Sequence, residues 1–311
     1  MNPVFVIAQE HVPAATEAFN AGDLIIGHVS NSSLAHPLMH LPTVWGIDFS
    51  VTKHVFMIWL VAASLFVGIT ALVRRAVRQP TSVPGGSMSV LELVVEFVRD
   101  GIVIPSIGQK WAATWTPLLL TVFVFILGSN LIGLFPIFDV LGLLSHYVFH
   151  FSDQSFLGMV IHGGTTPTGN FNVTAALAVV TFGAIILAGS MAHGFVQHWK
   201  NLVPKGMPVA IYPLLIPLEI MGMLVRPFAL TMRLAANMTG GHIAILAILS
   251  LVFVLTEMMH TAVAGVGIGL VFSLPLAVAI SALEIIVVLV QAYVFTLLSA
   301  VFIGMAIHAH H

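Results

Sequence analysis

Apolar residues run along this chain in long unbroken stretches. They do not alternate as in a half-buried strand, nor return every three or four residues as in a helix on a water-soluble core. About 20 consecutive apolar residues cross one bilayer, and that length recurs. The pattern predicts crossings at about 54–73, 115–135, 173–195, 209–258 and 268–306. The last two are longer than a perpendicular span requires, so they must tilt strongly. They read as a hairpin joined near 258–268, beside the glycine-rich AGVGIGL stretch at Ala264–Leu270. One segment differs. Over about 88–104, Glu92, Glu96, Arg99 and Asp100 share one side and Leu93, Val94 and Phe97 another, the pattern of an amphipathic helix lying at the membrane surface. The fold class predicted is an all-α integral membrane protein of five crossings and one surface helix, as a single membrane domain over 51–311 behind an outer tail at 1–50. No internal repeat is evident.

Composition agrees with lipid as the main solvent. Of 311 residues, 59% are apolar and 7% charged, against roughly 25% charged in a soluble domain, and the mean hydropathy is +1.06. Such a chain cannot coat a water-facing surface. Net charge is −2 and no basic block points to nucleic acid. With no cysteine, disulfides, thiolate metal sites and cysteine nucleophiles are excluded. The first residues, MNPVFVIAQE, do not read as a cleaved signal peptide. If the N-terminus is outside, the inner segments hold Arg74, Arg75, Arg78, Arg99, Lys110, Lys200 and Lys205, and the outer ones only Lys53. That asymmetry predicts an outer N-terminus and an inner C-terminus.

Against this background the intramembrane polar residues need a reason, since a central Arg or Asp costs about 2.5–3.5 kcal/mol on insertion scales. At about 100° per residue, Glu219, Arg226, Arg233 and Asn237 form one stripe on the fourth crossing, with His242 on the opposite face. Glu284 and Gln291 share a face of the fifth. Levelling His242 with Glu284 in an antiparallel hairpin centres it at residue 263, and levelling Arg233 with Gln291 centres it at 262. One register thus serves both pairs. Plainer readings stay open for several of these groups. Arg226 can snorkel to the inner surface, Glu219 can sit among headgroups, Asn237 and Gln291 can join helices by hydrogen bonds, and His242–Glu284 can be a structural pair. Arg233 is hardest to read that way. A guanidinium keeps its proton and the stripe offers no acid at its depth, so an acid on another subunit would fit.

The segment RPFALTMRLAANMTGGH resembles the signature of subunit a of F-type ATP synthases. LEIIVVLVQAYVFTLLSAVFIGMA resembles the family's last helix, and NLIGLFP at 130–136, VTAALAVVTFG and PLLIPLEIM match it too. The similarity spans roughly 40–307. It implies a stator that loads and unloads protons on a rotating ring of c subunits through two half-channels, beside a subunit b peripheral stalk in the F1Fo complex of a bacterial inner membrane. Arg233 matches the essential arginine facing the ring. His242 and Glu284 match the outer-channel pair, with acid and imidazole exchanged between helices relative to some members. Asn237 and Gln291 match polar positions near the arginine, and Glu219 an acidic position of the inner channel. Where some members carry an Asp, this chain has Gly133, so no acid is expected there.

Two other classes were weighed. A haem protein would use His54, His193, His242 or His260, but their depths do not pair and nothing binds propionates. A broken-helix transporter is disfavoured by the lack of a repeat. No HExxH and no GxxxxGK[ST] occurs, so neither a metal nor a cofactor is expected and the chain has no ATP site of its own. The terminal HAHH reads as a histidine tail.

Overall fold

The computed structural model describes residues 39, 41–43, 48, 50–78, 86–134, 166–200, 211–259 and 262–308. Most of the tail at 1–50, the loop histidines His146, His150 and His162, Lys205, His260 and residues 309–311 of the terminal HAHH lie outside them, as does the side chain of Glu257. The described helices are α1 (Lys53–Arg78), α2 (Gly86–Val98), α3 (Ile104–Ile107), α4 (Gln109–Leu134), α5 (Phe171–His193), α6 (Phe195–Lys200), α7 (Tyr212–Met259) and α8 (Ala262–Ile307). A π turn at Arg99–Val103 joins α2 to α3, and a 3₁₀ turn at Pro167–Gly169 precedes α5. Among the described residues the sole β pairing is the isolated bridge Met39–Val51. The protein is all-α. Five helices, α1, α4, α5, α7 and α8, are long and apolar enough to cross a membrane.

At about 1.5 Å per residue, the 48 residues of α7 extend about 72 Å, more than twice the roughly 30 Å hydrocarbon core. α7 and α8 pack along each other as an antiparallel hairpin. α7 ends at Met259 and α8 starts at Ala262, inside the range 258–268 expected for their join, so the glycine cluster is not itself a break. That cluster lies inside α8, where it serves packing. A Cβ on Gly269 would lie 2.9 Å from the Val252 Cα, so glycine lets the two backbones approach.

The amphipathic segment runs from Gly86 through the π turn to Ile107. Its polar side is as expected, with Glu92, Glu96, Arg99 and Asp100 exposed. Its buried side centres on Val98, Ile102, Val103 and Ile107. Leu93 is 65% exposed, and Phe97 reaches the core only by its edge, against Phe123 and Tyr293. The core formed there takes Trp115, Leu119 and Ile126 from α4, Ala184 and Ala188 from α5, Leu230 and Leu234 from α7, and Phe295 and Ile303 from α8.

α8 is pinned at its C-terminal end. A Cβ on Gly304 would fall on the Ser106 carbonyl oxygen, so only glycine fits. The His193 imidazole bonds the Ile307 carbonyl at 2.9 Å and the His308 imidazole bonds the Ile107 carbonyl at 2.8 Å. These rings satisfy carbonyls that helix ends leave without an intrahelical partner. The short α6 docks by His198, whose ring occupies the space a side chain at Gly189 would take. Burial, with His193 nearby as a lesser cause, holds the His198 pKa below its ordinary value.

Gly304→Ala is expected to destabilise the protein by about 1–3 kcal/mol, the range for overpacking, read as a lower midpoint of unfolding in mixed detergent micelles. For His198 the folded state binds fewer protons than the unfolded one, so docking is favoured at neutral pH and weakens as pH falls below about 6.5. Trp199 emission, isolated by difference from Trp199→Phe, should therefore change on acidification, and His198→Gln should abolish that change.

Candidate functional site

The polar residues of α7 fall as helical spacing requires, with His242 on the face opposite the stripe that carries Arg226, Arg233 and Asn237. Ala229, Arg233, Ala236 and Gly240 recur at intervals of four, three and four, and all are exposed. They form an outward face of small side chains around one guanidinium. Arg233 makes no ion pair or hydrogen bond with any described residue. Phe228 and Met232 beside it are exposed apolar groups, so the cation stands on a surface suited to lipid or a partner.

One flank of this stripe meets α8. Asn237 Nδ2 donates to Gln291 Oε1 at 2.8 Å. Gln291 therefore pairs with Asn237, one helical turn along from the Arg233 expected to lie level with it. Eleven residues earlier on α7 and eleven later on α8, the same register sets the Arg226 guanidinium over the Phe302 ring, 5.4 Å from its centre. This is a cation–π contact. Arg226 is half-buried, so its stem lies along α8. Glu219 is half-buried two turns before it.

His242 and Glu284 come together, with Nδ1 of the imidazole 3.3 Å from Oε1 of the carboxylate. Nδ1 also lies 3.0 Å from the Met238 carbonyl, to which it donates, and neither carboxylate oxygen has a hydrogen-bond partner. Glu284 is 4% exposed, a carboxyl group buried without hydrogen bonds. Its seat is made by Gly241, where a Cβ would lie 2.6 Å from Oε1.

Spacing along the chain gave no sign of the groups on the far side of His242. Thr166 Oγ1 lies 3.2 Å from Nε2, and a Cβ on Gly133 would fall on that same oxygen. The stretch 166–170 is held from three sides. Thr168 donates to Asn130 on α4, Thr239 on α7 donates to the Gly169 carbonyl at 3.3 Å, and Asn170 caps α5 by accepting from the Asn172 amide at 2.8 Å. Asn130 and Thr168 are fully buried. Among the described residues no three His, Cys, Asp or Glu side chains gather as a metal site.

These features define a multi-pass helical membrane protein with a buried polar seam between its two longest helices and a lone cation on the outer face. Residues 55–304 match the ATP synthase A chain family. The chain is 38% identical to ATP synthase subunit a 2 of Chlorobium luteolum over 94% of its own length and 78% of that protein's. It is 37% identical to ATP synthase subunit a 2 of Prosthecochloris aestuarii, covering 95% and 84% respectively. It is 39% identical to ATP synthase subunit a of Myxococcus xanthus, covering 85% and 75%. The chain belongs to the ATP synthase subunit a family of the Fo sector, and it is a multi-pass inner-membrane protein.

The seam makes a separate prediction for each of its two acceptor side chains. Glu284→Leu removes two buried oxygens that accept no hydrogen bond but also takes the ion-pair neighbour from His242, and should change stability by no more than about 1 kcal/mol. Gln291→Leu takes the partner from Asn237 and should lower it by about 0.5–1 kcal/mol. Denaturant titration in mixed micelles reads both.

Proposed function

We propose that this subunit is the stationary half of a proton path, exchanging protons with the carboxylates of a rotating c-subunit ring through two half-channels. The observation that carries this reading is the position of Arg233. It stands on the exposed small-residue face of α7, without a partner among the described residues, one turn from the Asn237–Gln291 pair. Small side chains let a neighbouring helix approach closely, and a permanent cation at lipid depth calls for an acid from that neighbour.

A proton enters from the outer side along His242 and Glu284, an imidazole–carboxylate pair suited to passing protons near neutral pH. It neutralises a ring carboxylate, which then moves into lipid without the cost of a buried charge. After almost a full turn that carboxylate meets the inner half-channel near Glu219 and releases the proton. Arg233 stands between the channels, favours the ionised carboxylate and repels a proton taking the direct route. Each elementary charge crossing 100 mV releases about 2.3 kcal/mol, and rotation carries that work to ATP synthesis elsewhere in the F1Fo complex. In this reading the N-terminus is outside, the C-terminus inside, and a subunit b stalk holds the subunit still.

Arg233→Ala is expected to abolish proton-driven ATP synthesis in inverted membrane vesicles while the c ring still co-purifies in mild detergent. Near-normal synthesis by that variant would defeat the mechanism. Glu284→Gln should slow proton uptake about 100-fold, the lower range for losing a positioned acid–base group.

A further inference from the structure

We propose that Thr166 is a positioning residue of the outer half-channel, its hydroxyl holding the His242 imidazole in register with Glu284 from the place a side chain at position 133 would otherwise fill. The inference rests on the half-channel reading above and adds a residue to it.

Three observations converge. Thr166 Oγ1 lies 3.2 Å from His242 Nε2, and Thr166 is 6% exposed, so the contact is shielded from solvent. The stretch carrying it is tied to three helices, through Asn130 on α4, Thr239 on α7 and the Asn170 cap of α5. The hydroxyl is therefore placed by the fold and does not depend on the imidazole to order it. Finally, a Cβ at Gly133 would coincide with Thr166 Oγ1, so glycine at 133 and threonine at 166 are sterically one choice.

Hydrogen-bond chemistry explains why a hydroxyl is needed. Nδ1–H of His242 donates to the Met238 carbonyl, 3.0 Å away, which leaves Nε2 of the neutral ring as an acceptor. The Gly133 carbonyl faces the same ring, but a carbonyl only accepts and so serves the charged imidazolium alone. A hydroxyl donates and accepts. Thr166 donates to Nε2 when the ring is neutral and accepts from Nε2–H when it is charged. It thus holds one ring orientation, Nδ1 toward Glu284, through both protonation states.

The test compares subunit variants in the complete ATP synthase, using membrane vesicles and inward proton flux driven by a fixed potential, with co-purified c ring as the measure of assembly. Thr166→Val keeps the shape and removes the hydroxyl, and flux should fall at least about five-fold, the scale of one lost hydrogen bond. Thr166→Ser restores the hydroxyl and should return flux to within about two-fold of the original protein. Gly133→Ala, with Thr166 untouched, should mimic Thr166→Val because its methyl displaces Oγ1. Normal flux in Thr166→Val would overturn the inference, as would equal impairment in Thr166→Ser. A Thr166→Val subunit that fails to assemble would overturn it too, since the hydroxyl would then be holding the fold. Glu284→Gln runs alongside. If it conducts normally the half-channel reading itself fails, whereas if it fails and Thr166→Val does not, only the role of Thr166 is lost.

Discussion

A guanidinium that cannot discharge, carried at lipid depth, is the constraint around which the rest of this structure is arranged. Arg233 sits near the middle of the 48-residue helix α7, within its apolar stretch. A soluble protein would bury such a group against a carboxylate. The carboxylate of the seam, Glu284, instead faces His242, nine residues further along α7 and on its opposite face. The cation is left on the outside among Ala229, Ala236 and Gly240. That division sets the architecture. One face of α7 stays exposed around the cation, while polar groups of the opposite face are held against α8.

Holding them requires close backbones, and glycine provides the approach at each critical point. Gly241 leaves room for the Glu284 carboxylate, Gly133 for the Thr166 hydroxyl, and Gly304 for the Ser106 carbonyl where α8 crosses the surface segment. The imidazoles follow a division of labour of the same kind. His193 and His308 bond helix-end carbonyls and fasten α8 to its neighbours. His242 instead faces a carboxylate, a hydroxyl and a carbonyl together, groups able to serve it in either protonation state. Fifteen histidines in a membrane chain suggest haem until their partners are known; the partners of these three are carbonyls, a hydroxyl and an acid.

Much of this was legible in the chain because membrane proteins expose their logic in one dimension. Long apolar runs give the crossings, and the cost of intramembrane charge singles out Arg233, His242 and Glu284 without any alignment. The register of the hairpin follows from their spacing. It placed His242 beside Glu284 but set Gln291 against Arg233, where the structure pairs it with Asn237. One turn is the natural size of that error, since two tilted helices do not advance level with each other and a single midpoint cannot describe their whole length. The join of the two helices falls within the expected 258–268, but the glycine cluster read as the break is helical. Glycine marks a turn only where the backbone must adopt an unusual conformation, and at Gly269 its use is the approach to Val252. Thr166 was beyond reach altogether. It lies 76 residues from His242 along the chain, in a stretch whose polar composition looks like any loop.

With the imidazole on α7 and the acid on α8, the demands of stability and of the proposed proton exchange pull apart. Burying Glu284 at 4% exposure with neither oxygen hydrogen-bonded costs stability, since an unmet buried polar group is penalised by roughly 1–3 kcal/mol. An apolar side chain would pack at that point without the penalty. A carboxylate fully satisfied by hydrogen bonds, on the other hand, would hold its charge too firmly to take up and give back a proton. Leaving Glu284 with one imidazole neighbour and a glycine seat avoids both extremes. The acid belongs on α8 because that helix is the better anchored of the two, pinned through Gly304, His193 and the core around Phe295. The imidazole belongs on α7, half-exposed, where Thr166 and the Met238 carbonyl orient it. The buried acid is thus seated by the fold, and the imidazole proposed to change protonation state is oriented by hydrogen bonds that tolerate the change.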